Sequence, residues 1–472
     1  MKYLLLFAFS AALFALEEGS FVQYQEAEEA AKKKEIEQSY QYPLLKEIDG
    51  TTEEKTLTLQ QRVVDYFGTF VTSSPYPGVR ATLDGNDLMS NLSNINKDLK
   101  ILLELSQSSA FLRKEKIPFP THPRIFMSGE IEFTGFVQKD AQGHPRSDLN
   151  LTDAELDFLI VMAPWIYGFV ALEYEDSVDP ALSTSRVANS RIKGESIFVT
   201  MGDLSSAPWY ATFGQTYLPF GQYTTYDAVH SPLTEILFRT IARNVALGFY
   251  NDLFHVVGYV YKGDSYVGSG NNVNSYGMSI GCHFTSGQFS GKVAAGAVRN
   301  IADSIGMQGV FGDPRNREKL HKVVPGANAH VNLSYGNWNL IGEYNQALRP
   351  FDERDATFST NRTSFKGARP RAFDVELAYA FNIYKRSSSI AFAYSRSFQS
   401  LGFNVPRERM TLTWAYHLFR GNLLSVELNS DKLYSNRCRA GGNSVRGNPY
   451  FINPSYLGHR DYTLSVDYLI YF

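Results

Sequence analysis

The last eleven residues, Tyr462-Thr-Leu-Ser-Val-Asp-Tyr-Leu-Ile-Tyr-Phe472, put Tyr462, Leu464, Val466, Tyr468, Ile470 and Phe472 on one face of an extended chain. A period of two marks a strand with an apolar side and a polar side. Working back from this end, the same unit recurs to about Phe126: ten to twelve alternating residues, then a break, with the breaks by turns short and long. Asp153, Glu155 and Asp157 alternate with Ala154, Leu156, Phe158 and Ile160. Asp374 and Glu376 alternate with Phe373, Val375, Leu377, Tyr379 and Phe381, and Met410, Leu412, Trp414, Tyr416 and Leu418 share a side.

Marking each unit predicts strands near 126–137, 151–162, 166–175, 194–202, 209–218, 236–248, 253–262, 273–284, 289–299, 326–335, 337–347, 371–382, 388–399, 408–418, 422–432 and 461–472. These are sixteen, and an even number returns the chain to the side it entered. Connections after even strands are tight, such as 163–165 and 336–337; those after odd strands, such as 138–150, 176–193, 219–235, 300–325, 348–370 and 433–460, are longer. Short periplasmic turns and long extracellular loops give that parity. The expected fold is an all-β transmembrane barrel of sixteen antiparallel strands over 124–472, wide enough for a water-filled channel. Its terminal Phe472 is a handle for barrel-assembly machinery, and its setting is the Gram-negative outer membrane, among lipid and lipopolysaccharide.

Composition agrees. The 472 residues include 29 Tyr and 33 Phe, enough for aromatic girdles at two lipid–water interfaces. A net charge of -3 gives no basic domain for nucleic acid. Residues 1–15 read as a signal peptide, with Lys2 ahead of a short apolar core. From 16 to 123 a periplasmic segment is expected: an acidic helix or disordered tail over 16–60, then a short coiled-coil-like helix over 86–116. There Leu88, Leu92, Ile95, Leu99 and Leu102 recur at four-three spacing before the polar Ser106 and Ser109. That seam packs on its own subunit or plugs the barrel base, or else forms a stalk in a homo-trimer. Cys282, on a lipid-facing row, and Cys438, in a distant loop, are expected as free thiols. No nucleophile elbow, zinc motif or phosphate loop is present, so neither an enzyme nor a cofactor or metal site is expected.

The expected pore lining is Glu130, Glu132, Asp153, Glu155, Asp157, Glu173, Arg239, Arg243, Glu343, Asp374, Glu376 and Arg396. It serves either as generic polar lining or as a charge-separated pore. The third long loop, 219–235, carries Gln222, Tyr223, Tyr226 and His230 and sits where many sixteen-stranded porins fold a constriction inward. Arg315, Arg317, Arg349, Arg354, Arg437, Arg439, Arg446 and Arg460 crowd the extracellular loops. Guanidiniums there capture small anionic solutes, or the phosphates of lipopolysaccharide.

Three stretches resemble the LbtU-type siderophore porins. They are Ser74-Pro-Tyr-Pro-Gly-Val-Arg80 with 84–100, then Arg124 to Glu132 with Leu151 to Asp157, and Phe213-Gly-Gln-Thr-Tyr-Leu-Pro-Phe-Gly-Gln-Tyr223 running to Arg239. The resemblance implies uptake of a ferric siderophore by loop binding and passive diffusion, without the globular plug of energy-coupled receptors. Carboxylate-rich siderophores would suit the arginines. A general or anion-preferring porin is the alternative, and a structural barrel or adhesin a second one.

Overall fold

The computed structural model describes residues 95–114, 123–140, 143–175, 191–251, 253–265, 267, 272–311, 320–384, 386–418, 422–441 and 457–471. The expected signal peptide, the acidic segment, residues 86–94 of the expected helix, Arg315, Arg317, Arg446 and Phe472 lie outside them.

Sixteen strands close into one barrel. In chain order they are β1 (Arg124–Lys139), β2 (Pro145–Ala163), β3 (Ile166–Glu175), β4 (Arg191–Gly202), β5 (Trp209–Tyr217), β6 (Ile241–Tyr250), β7 (Phe254–Tyr261) and β8 (Ser275–Ser286), followed by β9 (Phe289–Val298), β10 (Gly326–Tyr335) and β11 (Trp338–Ala347). Two short strands, β12 (Thr357–Ser359) and β13 (Lys366–Gly367), interrupt the series before β14 (Arg371–Ile383), β15 (Arg386–Phe398), β16 (Glu408–Tyr416), β17 (Asn422–Lys432), the short β18 (Arg439–Gly441), and β19 (Arg460–Tyr471). Each barrel strand pairs antiparallel with its neighbours, and β1 with β19 closes the ring. Side chains on the outer face alternate with those on the inner: on β14 Val375 and Leu377 are 46% and 47% exposed, while Asp374 and Glu376 are buried. Apolar residues outside and ionisable ones inside are what a strand crossing lipid around a wet lumen requires. No described helix is long and apolar enough to cross a membrane.

All sixteen expected strands are found, with two local differences. The expected loop 138–150 is mostly strand, because β1 runs on to Lys139 and β2 starts at Pro145, with the Asp140 amide donating to the His144 carbonyl at 3.0 Å. The sixth strand starts at Ile241, since Leu233–Phe238 forms a short helix, α2, whose Leu233, Leu237 and Phe238 are fully buried. Helical spacing of apolar residues overrides the strand pattern there.

The long-loop end is packed. Helix α3 (Ile305–Phe311) lies on α2 so closely that a Cβ on Gly306 would collide with the carbonyl of Ile236. Phe311, Phe351 and Phe403, from three loops, stack with ring centroids 5.0–6.0 Å apart. Strands β12, β13 and β18 form a small sheet that joins the loops after β11 and β17. In the loop after β9, Asp303 accepts from the Ser265 amide at 2.8 Å and lies beside Tyr261 and Asn300; burial pushes its carboxyl up to about 7. Cys282 and Cys438 are unbridged, as expected.

Candidate permeation site in the barrel lumen

Among the described residues, two elements that are not strands occupy the lumen, one on each side. The first is helix α1 (Lys97–Lys114). Toward their short-turn ends, β2 to β5 turn Leu159, Val161, Tyr167, Phe169, Phe198 and Tyr210 inward. An apolar patch facing a wet lumen needs a cover. Leu99, Ile101 and Leu102 of α1 supply it, and Ile95 bridges to Tyr217 just ahead of the helix. Ser106 accepts the Leu204 amide at 3.1 Å, and Arg113 donates to Ser206 at 2.7 Å and pairs with Asp203, with Leu204, Ser206 and Asp203 all in the short turn after β4. Of the four-three seam, Ile95, Leu99 and Leu102 face the barrel's own inner wall, and Leu88 and Leu92 lie outside the described residues.

At the other end of α1, Lys97 enters the acidic wall. Its Nζ lies 3.2 Å from Glu155 and 3.7 Å from Asp157, over the Phe169 ring at 5.0 Å. Around it the β-ladder brings like charges together: Glu130 pairs across to Glu155, and Glu155 to Glu173, on three successive strands. The carboxylates of Glu130, Asp153 and Glu155 come within 4.8 Å of one another. Glu132 and Asp467, both beside Thr134, and Glu195, bonded by Tyr217, extend the wall. Lys193, 3.3 Å from Glu173, is a second cation on it. Directly opposed like charges cost stability in a sheet. Their retention calls for a reason outside folding.

The opposite wall holds the third loop. Glu343 on β11 accepts the amides of Gln222 and Tyr223 at 3.2 and 2.8 Å. Glu376 on β14 accepts the Tyr226 amide at 2.7 Å and the Thr225 hydroxyl at 2.9 Å. Glu427 on β17 takes the amides of Ala228, Val229 and His230 at 2.9–3.1 Å and also meets the His230 ring. Between them Thr413 donates to Asp227 at 2.9 Å, and Arg409, bidentate on Asp431, donates to the Ser231 carbonyl at 2.6 Å. An inward loop takes its amides away from water, so each needs an acceptor. Charged acceptors make the stronger bond. Glu343, Glu376 and Glu427 are thus loop anchors, with Asp374 held by Ser395 beside them.

The curated relatives are homologues along most of their length. A UPF0422 protein of Coxiella burnetii is 30% identical over 413 residues, covering 86% of this chain and 85% of the relative. The chain belongs to the UPF0422 family. A UPF0422 protein of Legionella pneumophila is likewise 30% identical over 419 residues, 85% of this chain and 76% of that protein. No family model matches. Among solved structures, similarity extends to an anion-selective porin from Comamonas acidovorans (TM-score 0.48, 11% identity, 74% of this chain and all of that one) and to OmpF of Salmonella typhi in complex with daunomycin (0.47, 12%, 74% and 97%).

In this UPF0422 barrel three of the expected pore-lining residues stand elsewhere. Arg396 lies on the outer row of β15 with Ile390, Phe392 and Tyr394, because β15 turns its small residues, Ala391, Ala393 and Ser395, inward. Arg243 is exposed in the outer row of β6 with Val245 and Leu247. Arg239 ends α2, paired with Glu235 at 2.6 Å and over the Tyr217 ring at 5.1 Å. Of the loop arginines, Arg354 is bidentate on Asp352, Arg439 donates to the backbone of Asn436 and Cys438, Arg460 faces outward to Ser430, and Arg349 and Arg437 are exposed. They do not converge on one site.

Sequence reading missed a further inner group. Lys292 on β9 donates to Gln222 at 2.7 Å. His255 on β7, bonded to Tyr210 at 2.9 Å, and His283 on β8 flank the Tyr250 ring, and His330 on β10 is buried with neither ring nitrogen hydrogen-bonded. Their shared inward parity on successive strands is the signal that would have found them.

Proposed function

We propose that this UPF0422 protein is an outer-membrane porin, a channel and not an enzyme, whose lumen favours small cations and cation-bearing solutes. One observation carries the reading: the Glu130–Glu155–Glu173 ladder opposes like charges on three neighbouring strands, with a few inner-wall and helix cations against it. Field lines in a narrow, low-dielectric passage raise the local concentration of the opposite charge. The third loop narrows the passage from the other side. Against this background the anion-preferring alternative is disfavoured.

The resemblance to LbtU-type siderophore porins supports a ferric siderophore as cargo, admitted by diffusion. The acidic ladder then favours a complex of net positive charge over the carboxylate-rich class that the loop arginines suggested. Reconstitution in planar bilayers tests the reading. In a salt gradient the reversal potential is expected to report cation preference, reduced when Glu130, Glu155 and Glu173 become Gln together. Anion preference overturns the proposal, and absence of current returns the barrel to the structural or adhesin class. Block of the current by ferric chelates, cationic before anionic, separates a siderophore porin from a general one.

A further inference from the structure

On the outer wall, at the long-loop end, the strands from β14 to β17 carry a compact cationic cluster. Arg396 and Arg371, from adjacent strands, each lie 5.1 Å from the centre of the same ring, Phe398, and neither Nε has a hydrogen-bond partner. Next to them a single carboxylate, Glu408 on β16, is shared by three cations: Arg396 at 3.9 Å, Arg407 at 3.6 Å and Lys432 at 3.7 Å. Arg371 forms no ion pair among the described residues. One negative charge therefore faces four positive ones, on side chains that remain about one-third to two-fifths exposed where the ion pairs give a value.

The depth of the cluster is as telling as its charge. Directly below it on the same outer rows come Phe373 and Tyr394, then Val375, Phe392, Leu412 and Leu428, all facing lipid. A guanidinium pair stacked on an aromatic ring is pre-organised for a bidentate oxyanion. Placed at the upper edge of an apolar band, it meets the headgroup of an outer-leaflet lipid, with the acyl chains lying against the rows beneath. A soluble anion would gain nothing from those rows.

We infer that Arg371, Arg396, Arg407 and Lys432 form a binding site for the phosphate of an outer-leaflet phosphoglycolipid of the lipid A class. The site rests on the outer-membrane setting proposed above and on nothing about permeation.

Native mass spectrometry of the purified barrel with bisphosphorylated lipid A, and with the same lipid after removal of its phosphates, tests it. The wild-type barrel is expected to retain the phosphorylated form at least tenfold better, and Arg371→Gln, Arg396→Gln and Arg407→Gln together to abolish the difference. Glu408→Gln, which frees three cations without changing shape, is expected to tighten retention at low salt and to do so less at high salt. Equal retention of both lipids by the wild type, or an unchanged ratio in a triple variant that still shows the heat-modifiable barrel band, overturns the site. Where the triple variant gives no barrel band, Glu408→Gln decides, and unchanged or weaker retention overturns it. Conductance of the same variants distinguishes failure here from failure of the porin reading, which these outward residues do not touch.

Discussion

Lys97 and Glu155, 58 residues apart, meet at 3.2 Å inside the barrel, both almost wholly buried. The cation comes from a helix and the anion from the wall, so one contact both ties α1 to the lumen and sets a positive charge against the acidic ladder. Removing one partner of a buried pair costs about 3–5 kcal/mol, since the other is left unpaired. Lys97→Ala is therefore expected to loosen α1 at its inner end, raise single-channel current and increase cation preference. Bilayer recording checks this; current and selectivity equal to wild type would show that α1 does not obstruct the ion path.

Glu427 anchors three amides of the third loop. Glu427→Gln keeps the shape but removes the charge, and hydrogen bonds to charged groups are worth about 1.5–3 kcal/mol each. The variant should remain a barrel while residues 226–231 gain hydrogen exchange by about tenfold or more. Unchanged protection there would mean that Thr413 and Arg409 hold the loop without it.

The Asp303 carboxyl, raised to about 7 by burial, sets a pH dependence for its loop. A raised carboxyl binds its proton more tightly folded than unfolded, so its contribution is complete below the unfolded value near 3.8 and is lost as pH rises through about 7. Amides 300–304 should open more readily at pH 8 than at pH 5, after correction for intrinsic exchange. Asp303→Asn should flatten that difference; a difference that persists in the variant assigns it to another group.

Gly306 has no room for a methyl group against the Ile236 carbonyl. Gly306→Ala should cost about 1–3 kcal/mol by forcing α2 and α3 apart. Limited proteolysis of the extracellular loops, compared with heat-modifiability of the barrel itself, localises the effect. Loss of barrel stability with intact loops would contradict it.

The sixteen strands were legible because lipid on one side and water on the other impose a period of two, and because loop parity checks the count. Phase was harder. On β15 neither row holds an acid, and assigning Arg396 to the lumen assumed that charge points inward; the small residues Ala391, Ala393 and Ser395 in fact face in. Arg239 was misplaced by extending a strand back through α2, and Arg243, like Arg396, by assuming that charge points inward. The inward phase of the charges on β1 to β3 follows from alternation alone, but nothing local shows that Glu343, Glu376 and Glu427 will each meet a loop 120 or more residues earlier. The seam of α1 was visible, whereas its berth, spread over β2 to β5, becomes visible only when the register is known.

The ring shuts between β1 and β19, and α1 precedes β1 in the chain. Its berth belongs to strands made after it. The helix must therefore lie in the hollow of the growing sheet before the last strand seals against the first, or thread in later past the turn that Arg113 holds through Asp203 and Ser206. In the first order of events it serves biogenesis as an internal mould on which β2 to β5 take their curvature. The element that covers one side of the finished lumen would then also have helped to shape it.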